Sequence, residues 1–553
     1  MKGASTWIVL LLGLQLALAQ QYNTIAPQTF VPGKTYPFVV EVFNQNHLDV
    51  FHSEEIPLSC LGTEQSNQVL KIKKGRAMLT SRSDGSSNLT IGSGQVNLAP
   101  IENTDPVAMH SGILNGNQTW SANSVHVISS HLTVPYGDTL QIEEGCWVLI
   151  DSAVNILVEG HVKVLGTAAS PVVFTANNNA GWGGLICSSG TANLQLTICN
   201  NGGNDASLAY GHSDSQATIK SDGGNVRLSN CFIFDCQGKG VGAQNGFLEF
   251  VDGGISRCDM GGEFTGSRGI ILGSHILDIP NDDGIFQDDD NDALYFSGAN
   301  ATNDTSVVDS CVFIQGKDDA IDHNGAILAV RNCWIEGFEN EGIAASNQNS
   351  VTVFNSLFKH CEQGIEAGYG SPSVTVNHCV MVENDYGLRF GDWYDWGCAG
   401  TITCTNSIMV NNSIDNVHNF DLLSNGPIVG AIDLTYGIPN DNEYDAGTGC
   451  LVGTPMFTLT YQLEPNSLGV GAASDGLNMG LIPPVITGTA ELTMASSERA
   501  LSYNIYSVDG KLVKSKSGAA PFSVVGLQLP LGIYVVEEIY LDHRKVKKVA
   551  VIQ

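Results

Sequence analysis

Acidic side chains gather in the middle of this chain at spacings that suggest shared chemistry. Asp318-Asp319 is followed by Asp322, and Asp282-Asp283 precedes a run, Gln287-Asp288-Asp289-Asp290-Asn291-Asp292, that is almost entirely acid or amide. Paired carboxylates can pass protons to and from a sugar linkage, and clustered hard oxygens can hold a cation, Ca²⁺ above all. A solvated acidic turn would show the same letters. Farther on, Glu366 and Arg389 carry opposite charges, and Lys317 adjoins the Asp pair. Trp393, Tyr394 and Trp396, three aromatics in four positions, lie near Tyr369 and suit either stacking on a sugar ring or capping a hydrophobic core.

What positions these residues is a repeat. A small residue followed by an aliphatic one recurs at Gly240-Val241, Gly284-Ile285, Ala320-Ile321, Gly342-Ile343, Gly364-Ile365 and Gly387-Leu388, and the last four stand 22, 22 and 23 residues apart. Such a period marks a solenoid. Its segments, Ser350-Val351-Thr352-Val353-Phe354 and Ser373-Val374-Thr375-Val376-Asn377, alternate β-branched and polar residues, so each turn is a coil of short strands stacked at about 4.8 Å. With the marker pointing inward, the next residue points out, giving an outward column of Phe286, Asp322, Ala344, Glu366 and Arg389 and placing His323 inward. Three and two positions before each marker, Asp282-Asp283, Asp318-Asp319, Asn340-Glu341, Glu362-Gln363 and Asp385-Tyr386 form an acidic edge. Glu366 and Arg389 would stand one coil apart, as an ion pair or a catalytic couple.

The whole-chain composition sets the frame. Fifty-six acidic against 25 basic residues give a net charge of -31, which argues against nucleic-acid partners and requires a bridging cation for any anionic substrate. Residues 1–19 read as a secretory signal peptide, with an apolar run from Trp7 to Leu18 too short to span a bilayer. Residues 20–115 read as an N-terminal β-rich domain, a small β-sandwich; 116–482 as the coil; 483–489 as a linker; and 490–553 as a separate β-sandwich dense in Lys and Arg. Of the 14 cysteines, Cys231, Cys311 and Cys333 share one column, where buried thiols or a Cys311–Cys333 disulfide are equally open.

The coil resembles the right-handed parallel β-helix of pectate-lyase-like proteins, an all-β fold used by lyases, hydrolases, epimerases and adhesins alike. Gly316-Lys317-Asp318-Asp319-Ala320-Ile321 resembles the paired-Asp segment of polygalacturonase-type hydrolases, although no Gly-His-Gly or Arg-Ile-Lys follows. Resemblance to calcium-dependent lyases of this fold implies a bound Ca²⁺ and a Lys or Arg base. The acidic residues Asp282, Asp283, Asp318, Asp319 and Asp322 are the candidates to hold the ion, Arg389 or Lys317 the base with Glu366 beside it, and Trp393, Tyr394, Trp396 and Tyr369 the candidates to meet the glycan. Tyr503–Val513, Leu529–Val536 and Val546–Val551 resemble the landmarks of the C-terminal sorting domain of the type IX secretion system of Bacteroidetes, which implies that machinery as partner and a secreted or outer-surface location. The expectation is a secreted protein that acts on or binds polysaccharide, by Ca²⁺-assisted β-elimination on a uronate polymer if it is an enzyme. The alternative is a non-enzymatic adhesin or structural β-helix.

Overall fold

The computed structural model describes residues 21–44, 47–60, 69–82, 89–91, 96–98, 101–104, 106–280, 290–392, 400–422, 429–441, 443–483, 502–507, 512–517, 532–539 and 544–551. Each coil contributes three strands, and each strand pairs in parallel with its counterpart on the next coil. Leu328–Arg331 pairs with Ser350–Phe354 on a first face, Val312–Gly316 with Trp334–Phe338 on a second, and Ile321–Asn324 with Glu341–Ser346 on a third. The first face is a 13-stranded parallel sheet, and the other two are built from 24 strands. The fold is thus an all-β, right-handed parallel β-helix.

Inward side chains stack into the core. The markers Ile321, Ile343, Ile365 and Leu388 are all fully buried, above and below one another. Corners are made by residues that tolerate left-handed backbone. Asn332, Asn355, His378 and Asn406 all have φ between 49° and 56°, and two of the asparagine amides chain along the axis: Asn355 Nδ2 donates to Asn332 Oδ1 at 2.9 Å, and Asn332 Nδ2 to Asp309 Oδ1 at 2.9 Å. The next residue is buried and small: Cys311, Cys333, Ser356, Cys379 and Ser407 each donate to the carbonyl two residues back, at 2.9 to 3.4 Å. The cysteines whose side chains are described are free thiols, Cys311 and Cys333 included.

The second face is apolar on both sides, as in Phe232–Phe234, Leu357-Phe358 and Val380–Val382, because it is covered. Its upper part lies under an antiparallel sheet of Gln21–Ile25, Thr35–Asn44, His47–Leu48 and Arg76–Arg82, whose Val39, Phe43 and Met78 share a cluster with Ile198, Phe232 and Trp334. Its lower part lies under the returning chain, through Met479, Leu481 and Ala473. Glu54–Cys60, Val69–Ile72, Leu89–Ile91 and Val96–Leu98 form a second small antiparallel sheet. The N-terminal strands therefore belong to one compact unit with the coil, residues 1–492. Residues 493–553 are a separate unit, whose described strands Ser502–Ser507, Leu512–Ser517, Gly532–Ile539 and Arg544–Val551 form one antiparallel sheet.

The register corrects one expectation. Leu294, not Ile285, stacks on Ile321, so Tyr295 rather than Phe286 stands above Asp322 in the outward column. Ala293-Leu294 carries the same small-aliphatic signature as Gly284-Ile285, and the long stretch enters before the strand rather than after it. Gly284-Ile285 lies outside the described residues.

A carboxylate cluster on the third face

Seen down the third face, the outward column reads Lys220, Gly242, Glu263, Tyr295, Asp322, Ala344, Glu366, Arg389 and His418, one residue per coil. Beside it runs the turn that enters the face. Because Ala293 N bonds Asp319 O at 2.8 Å and Leu294 N bonds Ala320 O at 3.1 Å, Asn291-Asp292 lies over Asp318-Asp319. Ala320 N in turn bonds Glu341 O at 2.9 Å, so Glu341 lies under Asp319. Two columns of acids thus meet at one corner.

Asp292, Asp318 and Asp319 each place a carboxylate oxygen within 4.8 Å of the others. Asp319 Oδ1 accepts from the Glu341 backbone N–H at 2.7 Å, and Asp318 Oδ1 from Asn340 Nδ2 at 2.6 Å. Asp292 is 1% exposed and its Oδ2 has no hydrogen-bond partner among the described residues. Burial, then mutual repulsion, raises these groups: Asp292 and Asp319 well above the usual carboxylate range, Asp322 to about 8 and Asp318 to about 6. Such a corner holds protons at neutral pH or takes up a cation.

A loop between Thr197–Asn200 and Ala217–Asp222 reaches down to this corner with His212. Its ring stacks on Tyr295, centroids 4.3 Å apart and planes 7° from parallel, while its backbone N–H bonds Glu263 Oε2 at 3.0 Å. Nε2 lies 3.3 Å from Asp290 Oδ1, 3.6 Å from Asp322 Oδ2 and 3.9 Å from Asp292 Oδ2. Repeat reasoning missed His212, because the loop that carries it lies outside the period.

The remaining sequence candidates scatter. Glu366 and Arg389 do pair across adjacent coils, in a direct contact between Arg389 Nη1 and Glu366 Oε1. Arg389 is only 5% exposed, and its guanidinium lies over Phe420 at 4.2 Å. Burial raises the Glu366 carboxyl, Arg389 opposes the rise and Glu341 adds to it. Arg389 and Asp322 are three coils apart, about 14 Å at the inter-strand spacing, so Arg389 lies outside the corner, while Glu366 reaches its edge through Glu341. Lys317 turns toward the corner, with Nζ 3.4 Å from Asn291 Oδ1. Tyr369, half exposed, lines a shallow groove with Asn324 and Asn347 where the chain leaves the third face. His323 is fully buried, with Nε2 2.6 Å from Ala326 O. Asp282, Asp283, Trp393, Tyr394 and Trp396 lie outside the described residues.

Residues 112–221 match the family model of the pectate-lyase like beta helix domain, and residues 263–429 that of the right handed beta helix region. No curated protein matches the chain in sequence. Among solved structures, a periplasmic alginate epimerase is 10% identical, covering 56% of this chain and 77% of its own, with a TM-score of 0.31. The catalytic domain of an alpha-1,3-glucanase in complex with nigerose is 9% identical over 75% of this chain and 95% of its own, at 0.31. An alginate lyase from a Paenibacillus species is 14% identical over 55% and 97%, at 0.27.

Proposed function

We propose that this chain cleaves a polysaccharide on its third face, with Asp318 and Asp319 moving the protons. The observation that carries the reading is the corner where Asp292, Asp318 and Asp319 meet within 4.8 Å, with Asp318 raised to about 6 and Asp319 raised well above the usual carboxylate range. Asp319, so raised, gives its proton to the leaving glycosidic oxygen as the bond to the anomeric carbon breaks. Asp318, ionised above about pH 6, takes a proton from the water that attacks the same carbon, and the two groups re-equilibrate with solvent. Hydrolysis fits these residues better than elimination with Arg389 as base, because Arg389 is buried against Glu366 and would have to surrender a proton while paired with a carboxylate. The all-oxygen donor set of Asp292, Asp318 and Asp319 also suits Ca²⁺, which would neutralise a uronate in the elimination reading.

The test is release of reducing ends from neutral and uronate polysaccharides by the coil-bearing protein, with Ca²⁺ and with chelator, alongside absorbance near 235 nm. New reducing ends without a 235 nm rise, reduced at least 100-fold in Asp318→Asn and Asp319→Asn with the β-sheet circular dichroism intact, support hydrolysis. A 235 nm rise replaces it with elimination. No product from any member of the panel sinks catalysis and leaves a glycan-binding surface. In this reading the chain is exported, with residues 1–19 as signal and 490–553 as the sorting domain for type IX machinery; the mass of the protein recovered outside the cell tests both.

A further inference from the structure

We infer that His212, Asp292 and Asp322, with Asp290 at the rim, form a binding site for one divalent transition-metal ion of the Mn²⁺ or Zn²⁺ kind. Each of the three offers a ligand atom within 4.8 Å of the other two. The separations are those of a coordination shell rather than of hydrogen bonds. An ion about 2.1 Å from each donor places the donors about 3.4 Å apart in a tetrahedron, and about 3.0 Å (adjacent) or about 4.2 Å (opposite) apart in an octahedron. The distances from His212 Nε2 to the carboxylate oxygens, 3.3, 3.6 and 3.9 Å, fall in or close to that interval, whereas a charged hydrogen bond would draw them to about 2.8 Å.

A second, independent observation points to a ligand. Asp292 Oδ2 is buried, has no hydrogen-bond partner among the described residues, and is directed at this corner. A carboxylate oxygen in that setting forgoes a hydrogen bond, at a cost an ion would remove. The imidazole is also fixed in advance. Tyr295 stacks on its face, Glu263 holds its backbone, and Ser213 and Ser215 tie the loop to Asp259 at 2.8 and 2.6 Å. Ligands oriented by outer partners are what metal affinity depends on.

One nitrogen among carboxylates decides the class of ion. Ca²⁺ takes oxygen donors, while imidazole with carboxylate suits Mn²⁺, Zn²⁺ and their neighbours. The site differs from the five-Asp calcium set expected from the sequence: it shares Asp322, excludes Asp318 and Asp319, and recruits His212 from a loop more than 70 residues before Asp290. Holding Asp292 and Asp322 on an ion would leave Asp318 and Asp319 for proton transfer. The ion site stands apart from that reaction, since metal binding is measured without any polysaccharide.

The experiment is titration of chelator-treated, dialysed protein with MnCl₂, ZnCl₂ and CaCl₂, followed by calorimetry and thermal melting, with electron paramagnetic resonance on the Mn²⁺ form. The expected result is one equivalent of Mn²⁺ or Zn²⁺ bound at least tenfold more tightly than Ca²⁺, and nitrogen coupling in the Mn²⁺ spectrum. His212→Ala should abolish that coupling and weaken binding at least tenfold. Asp322→Asn, which keeps the loop untouched, should weaken binding similarly while the melting transition remains cooperative. No stoichiometric binding, equal or tighter binding of Ca²⁺, or affinity unchanged in both variants would overturn the site.

Discussion

Replacing Asp318 by Asn should make the protein more stable at neutral pH and inactive. The folded carboxyl is raised from 3.8 to about 6, first by burial and then by the charges of Glu341 and Asp290, against the hydrogen bond from Asn340 and the charge of Lys317. A raised carboxyl stabilises through its protonated form. That contribution is complete below about pH 4 and is lost as pH rises through about 6, because the unfolded chain has already released the proton the folded chain keeps. Two pH units at about 1.4 kcal/mol each set a ceiling of about 3 kcal/mol. Asp318 is half-buried, so solvent screening reduces this to about 1–2 kcal/mol. The amide variant has no such proton to lose, and its carbonyl oxygen can still accept from Asn340. Urea unfolding of both proteins in chelator, from pH 3.5 to 7.5, should show the variant gaining about 1–2 kcal/mol on the wild type between pH 4 and 6, with no further divergence outside that window. A difference constant in pH, or one that favours the wild type as pH rises, refutes the claim that this corner strains its own charges. The same variant, assayed for reducing ends, separates stability from activity.

Two further outcomes test the scaffold. Arg76 is fully buried between the N-terminal sheet and the coil, bonding Glu41 Oε1 at 2.9 Å, Gly253 O at 2.7 Å and Asp252 O at 3.2 Å. Arg76→Met should cost about 3–5 kcal/mol, since it leaves Glu41 buried alone, and Arg76→Met with Glu41→Leu should recover part of that in thermal unfolding; a single variant as stable as wild type would contradict the fastening role. Cys379→Ser should cost under about 1 kcal/mol, because Ser356 and Ser407 hold the same corner one coil away on either side with the same bond to a backbone carbonyl. Cys199→Ser, with no such bond among the described residues, should cost more, about 1–3 kcal/mol; equal losses in the two variants' urea midpoints would show that the column has no special tolerance.

Periodicity made the coil legible and set the limits of what could be read from it. Ile321, Ile343, Ile365 and Leu388 recur because each coil must return the same side chain to the core, and the residue after each marker then follows by alternation. That was enough to place Glu366 beside Arg389. It could not tell that Phe420 and neighbouring chain bury Arg389, since alternation fixes a direction and not what lies there. Two small-aliphatic pairs nine residues apart, Gly284-Ile285 and Ala293-Leu294, fit the same template, and only strand pairing chooses Leu294. Runs such as Val380–Val382, apolar on both faces, did carry a signal that something covers the second face, though not which segment.

His212 shows where repeat reasoning ends. Residues 201–216 have no counterpart on neighbouring coils, so no column predicts their reach, yet they carry a side chain across the face to Asp290, Asp292 and Asp322. The ladder supplies rigid spacing and forces like charges together; the loop supplies the one donor that differs in kind. Rigid stacking also explains why the corner can persist. Coils fixed by backbone pairing at about 4.8 Å cannot relax to separate Asp292 from Asp319, so the repulsion appears as retained protons, or as affinity for a cation, and not as movement.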